Sequence, residues 1–306
     1  MVRAVAAVLV VAAGCSPARP GARAAQPQPA PTMDAEACTP PSYAACGAPD
    51  AATTGVPPGT PLTEKPPGTY VITHPGTVID GWEVSGVIDV EADRVTIVDT
   101  RLTAASWAGI VYGKTNPAAT GLRILHDTLT TIPGRGPDHQ GYDYGIEQLG
   151  RGTLDVGYDD ISGFKDGVDL HTGRVDESYI HQLPTFPTSH DQDIYVWPGG
   201  TGVEIDHNTL IADGGNATAA VYVAPDGGHQ SGVTLADNWV AGGAYCVYAG
   251  DPTATDIRIT GNLFSSEIYP ACGQFGSVTY WSANAGNVAS GNLWAGGAQA
   301  GRPVTW

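Results

Sequence analysis

Charge is scarce in this sequence. Only 15% of the 306 residues are Asp, Glu, Lys or Arg, against roughly a quarter in an average soluble domain, which argues against a long helical bundle or a coiled coil. Basic residues are scarcer still, with 14 Lys and Arg against 31 Asp and Glu and a formal net charge of −17. Nucleic acid and anionic lipid surfaces attract clustered cations, so neither is expected as a partner. No Cys-x-x-Cys pair occurs among the five cysteines, which disfavours a cysteine metal site. Nucleophile-elbow, P-loop and dinucleotide fingerprints are also missing from any fitting context. What is plentiful is glycine, 41 residues of it.

Residues 1–14 place Arg3 before an apolar run that ends in small residues and is too short to span a membrane. This pattern is a secretory signal. Ala12-Ala13-Gly14-Cys15 resembles a bacterial lipobox, which implies lipidation of Cys15 and an extracellular or cell-surface location, with the membrane touched only through the lipid anchor. Residues 15–54 are rich in Pro and Ala and are expected to form a flexible tether. In an oxidising compartment the other four cysteines suggest two disulfides, and local pairing favours Cys38–Cys46 and Cys246–Cys272.

From about residue 78 a short phrase recurs: an apolar run, a turn, then a polar residue leading into a second apolar run. Aligning the copies places Thr100, Asp127, Asp159, Ser178, Asn208, Asn238, Asn262 and Asn292 in one column at spacings of 19 to 32 residues. Such a period belongs to stacked-repeat architectures. If successive turns lie about 4.8 Å apart, each corner side chain can bond the turns above and below it and satisfy polar groups that the coil buries. An antiparallel sandwich is disfavoured, because no hairpin signal recurs in step with the runs.

With these corner positions, and with Gly145-Ile146-Glu147, Gly167-Val168-Asp169 and Asp193-Ile194-Tyr195 in front of them, the chain resembles the right-handed parallel β-helix superfamily, the pectate-lyase-like fold. It is similar in particular to actinobacterial secreted β-helix proteins that open with a Val-Pro-x-Gly-Thr segment, here Val56-Pro57-Pro58-Gly59-Thr60. The resemblance implies an all-β right-handed parallel β-helix over residues 55–306. That architecture hosts lyases, hydrolases, epimerases, esterases and non-catalytic adhesins, so activity has to be read from the site.

A second family of runs contains Ile110, Ile146, Val168, Ile194, Val221, Val247 and Val278. If these point into the coil, strict alternation sends Glu147, Asp169, Tyr195, Tyr222 and Tyr248 outward as one ladder. The same alternation puts Asp193 outward on the side before it, and His171, Trp197 and Trp281 outward on the side after it. Asp143, Lys165, His190 and Asp191 flank the strands, and Asp166 in Lys165-Asp166-Gly167 is read as a turn residue. The loop residue His139 is a further candidate to cap the groove.

These residue types suit three activities on a polysaccharide. The first is β-elimination from an acidic glycan, with Ca²⁺ on Glu147, Asp169 and Asp193 and with Lys165, or else His171 or Tyr195, as the base. Hydrolysis by paired carboxylates drawn from Glu147, Asp169 and Asp193 is the second. The third is binding alone. Tyr195, Trp197, Tyr222, His190 and Asp143 are the expected substrate contacts, and a monomeric lyase is the favoured reading.

Overall fold

A computed structural model describes residues 33–35, 43–132, 143–185 and 190–306. Cys15, Cys38 and His139, together with the signal and most of the tether, lie outside the described residues. The described chain is an all-β solenoid, a right-handed parallel β-helix in which every named strand pairing is parallel. Right-handed winding is the sense in which parallel crossovers pack.

Each full turn contributes three short strands. Turn after turn they stack into three ladders, two of which share the long strand Trp82–Val90. Its first half pairs with Arg101–Ala104 and its second half with Ala108–Tyr112. β-Branched residues fill the inside. Ile110, Ile146, Val168, Ile194, Val221, Val247 and Val278 stand in one register, and Ile97, Ile124, Val156, Val175, Ile205, Leu235 and Ile259 form a second column on another face. All fourteen are buried.

The corner that leads from this second face to the strands carrying Leu102, Leu129 and Ile161 is built the same way on each turn. A residue in the left-handed region bends the chain (Asp99, His126, Tyr158, Glu177, His207 and Asp237, then Gly261 and Gly291), with φ between 50° and 71°. The next residue is the ladder residue expected from the repeat. Its side-chain oxygen accepts the backbone N–H of the ladder residue one turn earlier: Asp127 from Thr100 at 2.5 Å, Asp159 from Asp127 at 2.6 Å, Ser178 from Asp159 at 3.1 Å, and Asn208, Asn238, Asn262 and Asn292 in sequence at 2.9–3.0 Å. The four asparagines also donate Nδ2–H to a carbonyl of the preceding turn, those of Val175, Ile205, Leu235 and Ile259.

Two expectations about the chain ends need revision or extension. The tether does not run flexibly to residue 54, because Tyr43, Cys46 and Ala48 are buried against Ile211, Trp239, Ala241 and Leu263 on the outside of the coil. The Pro- and Ala-rich composition conceals the single aromatic, Tyr43, whose ring lies 4.7 Å from that of Trp239. Cys246 and Cys272 are joined as expected. Cys46 is also disulfide-bonded.

Asp127 and Asp159 fill ladder places where the later turns use Asn. Burial pushes both carboxyls well above the usual range, joined by the charge of Asp159 at Asp127 and by those of Asp176 and Asp155 at Asp159, and Oδ2 of each lacks a hydrogen-bond partner. A group raised in the folded state gives its full stability below the unfolded value of about 3.9 and loses it as pH rises through the folded value. Asp127→Asn and Asp159→Asn each supply a donor that needs no protonation. Each is therefore expected to raise stability by about 1 kcal/mol at pH 7–8 and to flatten its decline with pH, read from urea midpoints across pH 4–8.

Candidate functional site

The site lies on one face of the coil, on the strands Tyr144–Gln148, Asp166–Leu170, Asp191–Val196, Ala217–Val223 and Tyr245–Ala249. Each places one aliphatic residue in the core column, and alternation turns the following residue outward. Glu147 pairs with Asp169, Asp169 with Tyr195, Tyr195 with Tyr222 and Tyr222 with Tyr248. This outward ladder is the expected one.

On the other side of the core column alternation breaks. Gly145 and Gly167 face inward beside the aliphatic residue that follows them: a Cβ on Gly145 would stand 3.0 Å from Ile161 Cγ2, and one on Gly167 would stand 2.5 Å from Ile180 Cγ2. Both neighbours belong to the core. Asp166 pairs with Gln192 and Val168 with Ile194, so Asp193 falls in the glycine column and is 0% exposed. Neither of its carboxylate oxygens has a hydrogen-bond partner, and burial, then Asp213 and Asp191, push the carboxyl far upward. Asp193 is therefore not a groove residue, and it cannot join Glu147 and Asp169 around a cation. Among the described residues no group of three or more His, Cys, Asp or Glu side chains is arranged to hold a metal ion.

The outward position before the break belongs instead to Tyr144, Asp166 and Gln192, which occupy one register. Asp166 is a strand residue, not a turn residue, and it is the side chain that strict alternation fails to find. Together with the outer ladder this column encloses an open cavity of ≈ 280 Å³. Lys165, Asp166, Asp169, His190, Tyr195, Trp197 and Tyr222 line it, joined by Tyr144, Gln192, Thr218 and Asp226. The last four carry no motif, and they reach the cavity only because the turns stack.

The carboxyls of this site are held in unequal states. Lys165 Nζ lies 3.1 Å from Asp166 Oδ2 and 5.2 Å from the centre of the Tyr144 ring. The Gln192 backbone N–H donates to Asp166 Oδ1 at 3.2 Å. Burial pushes Asp166 up to about 7 even though Lys165 pulls it down. Asp169 is raised well above the usual carboxylate range by burial and then by the charges of Asp166 and Glu147, and its Oδ1 is buried without a partner. Glu147, pushed up to about 7 by burial and by Asp143, sits beside Asp169 but does not line the cavity. Asp143, an expected substrate contact, is likewise not among the residues that line the cavity.

For Lys165, burial favours the neutral amine, but Asp166, Tyr144 and Asp169 outweigh it and raise the group overall. Lys165 therefore presents a fixed ammonium, which corrects its expected role as the base. His171 is lowered to about 4 by burial and by Arg151, and its imidazole is stacked on Trp197 with ring centres 5.4 Å apart. Trp281 is not part of this group. It packs near Trp306, 6.2 Å between ring centres, beside a separate cavity.

Compared with protein-family models, curated proteins and solved structures, the chain matches none. The pectate-lyase-like resemblance thus reaches as far as the parallel β-helix architecture, and the chemistry rests on the geometry above.

The ion pair generates a direct test. In Lys165→Met the cation that holds Asp166 down is gone, so the Asp166 carboxyl should titrate above about 7. Carboxyl ¹³C shifts followed against pH in both proteins report it, and an unmoved midpoint would show that Lys165 does not control Asp166.

Proposed function

We propose that the protein degrades polysaccharides by hydrolysing glycosidic bonds in the groove over Asp166 and Asp169. One observation carries this reading: two carboxyls on one strand, Asp166 paired with Lys165 and Asp169 buried with its Oδ1 unpartnered, line a cavity flanked by Tyr144, Tyr195, Trp197 and Tyr222. Glycoside hydrolysis needs one protonated and one ionised carboxyl, and environments that push two acids apart assign their roles. Asp169, raised by burial and like charges, gives its proton to the departing glycosidic oxygen as the C–O bond breaks. Asp166, supported by Lys165 and the Gln192 N–H, is the ionised partner that takes a proton from a water molecule as its oxygen bonds to the anomeric carbon. The aromatic walls offer apolar faces to sugar rings. The leader and Cys15 support an activity outside the cytoplasm.

β-Elimination from an acidic glycan is the second reading, favoured by the Lys165 ammonium at the cavity, which suits the carboxylate of a uronic acid. Its base would have to be a group other than Lys165, with neutral His171 beside Trp197 as the candidate.

The test is a panel of neutral and acidic polysaccharides incubated with the full chain, following reducing ends and ultraviolet absorbance together. Hydrolysis yields reducing ends without absorbance, and Asp166→Asn and Asp169→Asn each lower kcat/KM by about 10²–10⁴-fold. The rate should rise as pH passes through about 7, where Asp166 ionises, and fall at higher pH as Asp169 loses its proton. Reducing ends with absorbance would replace hydrolysis by elimination, and silence in both channels would overturn enzymatic cleavage altogether.

A further inference from the structure

Beyond the carboxyls the outward ladder continues as an unbroken aromatic stripe. Tyr195 stacks on Tyr222 with ring centres 5.3 Å apart and planes 11° from parallel. Tyr222 lies 4.8 Å from Tyr248, and Tyr248 lies 5.8 Å from Tyr280. Tyr245 stands perpendicular to Tyr248 and leads to Phe275. The far end is open to solvent, with Tyr280 51% and Phe275 67% exposed. No core requirement explains these rings, because the interior column beside them is already filled by Val221, Val247 and Val278.

The charges around the stripe are one-sided. Asp226 accepts a hydrogen bond from the Tyr222 hydroxyl at 3.5 Å, and among the described residues no Lys or Arg lies over the ring of Tyr222 or Tyr248. The one ammonium in the cavity is already engaged by Asp166 at 3.1 Å. A polyanionic chain would lay a carboxylate or sulfate on every rung, in a protein of net charge −17, where the described lining supplies a single cation, Lys165.

We infer that Tyr222, Tyr248, Tyr280, Tyr245 and Phe275 form a run of subsites for an uncharged polysaccharide chain lying along the coil axis and entering the cleavage cavity from one side. The inference rests on the hydrolytic reading of that cavity and names its substrate class. The spacing of the rungs is of the same order as that of sugars in an extended chain, so successive residues meet successive rings. Ring edges and the tilted Tyr248 and Tyr245 faces take sugar C–H groups, while phenol hydroxyls and Asp226 take sugar hydroxyls.

Binding, measured apart from cleavage, tests it. The full chain carrying Asp169→Asn is run in affinity gels containing galactomannan, hydroxyethylcellulose, arabinoxylan or polygalacturonate. Retardation by at least one neutral polymer, insensitive to salt, is expected, with none by polygalacturonate. Tyr248→Ala combined with Tyr280→Ala should weaken that binding about tenfold or more, and Tyr248→Phe with Tyr280→Phe should largely restore it, which separates lost stacking from lost folding. Salt-sensitive retardation by polygalacturonate alone, no retardation by any neutral polymer, or equal binding by the alanine and parent proteins each overturns the proposal. Reducing ends released from short neutral oligosaccharides by the unmutated chain would leave the cleavage reading standing in all three cases.

Discussion

The hydrogen bond from the backbone N–H of one corner residue to the side chain of the next fixes the whole molecule. It recurs from Thr100 to Asn292, at a point where the chain has just passed through a left-handed residue and could otherwise continue in several directions. With the corner locked, the strands on either side are held in register, since a slip of one residue would turn each core side chain outward. Asp127 and Asp159 show the tolerance of the device. They keep the acceptor, but unlike Asn they carry a donor only while protonated.

Register is also what creates the site. Glu147, Asp169, Tyr195, Tyr222 and Tyr248 belong to five different turns, yet they form one surface because each strand repeats the placement of the last. The departure at Gly145 and Gly167 is equally repetitive. Two consecutive residues turn inward there, and the outward position passes to Tyr144, Asp166 and Gln192. Asp193 inherits the inward place without being small and apolar, so a carboxyl is sealed into the coil. The same break that hides Asp193 brings Asp166 to the cavity with a cation beside it.

On another face the chain covers its own surface. Tyr43, Cys46 and Ala48 lie over Trp239, Ile211, Ala241 and Leu263, an apolar area that would otherwise face water on the outside of the coil. Composition alone could not show this, because an Ala- and Pro-rich segment reads as a tether whether or not it finds a surface to lie on.

By itself the sequence determined the repeat, the ladder from Thr100 to Asn292, the aliphatic core column and the outward run from Glu147 to Tyr248. All of these follow from local periodicity, which each turn expresses in its own residues. It also marked Tyr195, Trp197, Tyr222, Lys165, His190 and Asp169 as neighbours. Only the tertiary structure decided which carboxyl joins them. Strict alternation assigned Asp193 to the groove and the Asp166-Gly167 pair assigned Asp166 to a turn, and the close packing of Gly145 and Gly167 against Ile161 and Ile180 reversed both assignments. The balance of charge was likewise decided in three dimensions: burial, with Asp166 and Glu147, raises Asp169, while Asp166 and Tyr144 raise Lys165 against its burial, and the burial of these groups is not written in the neighbouring residues of the chain.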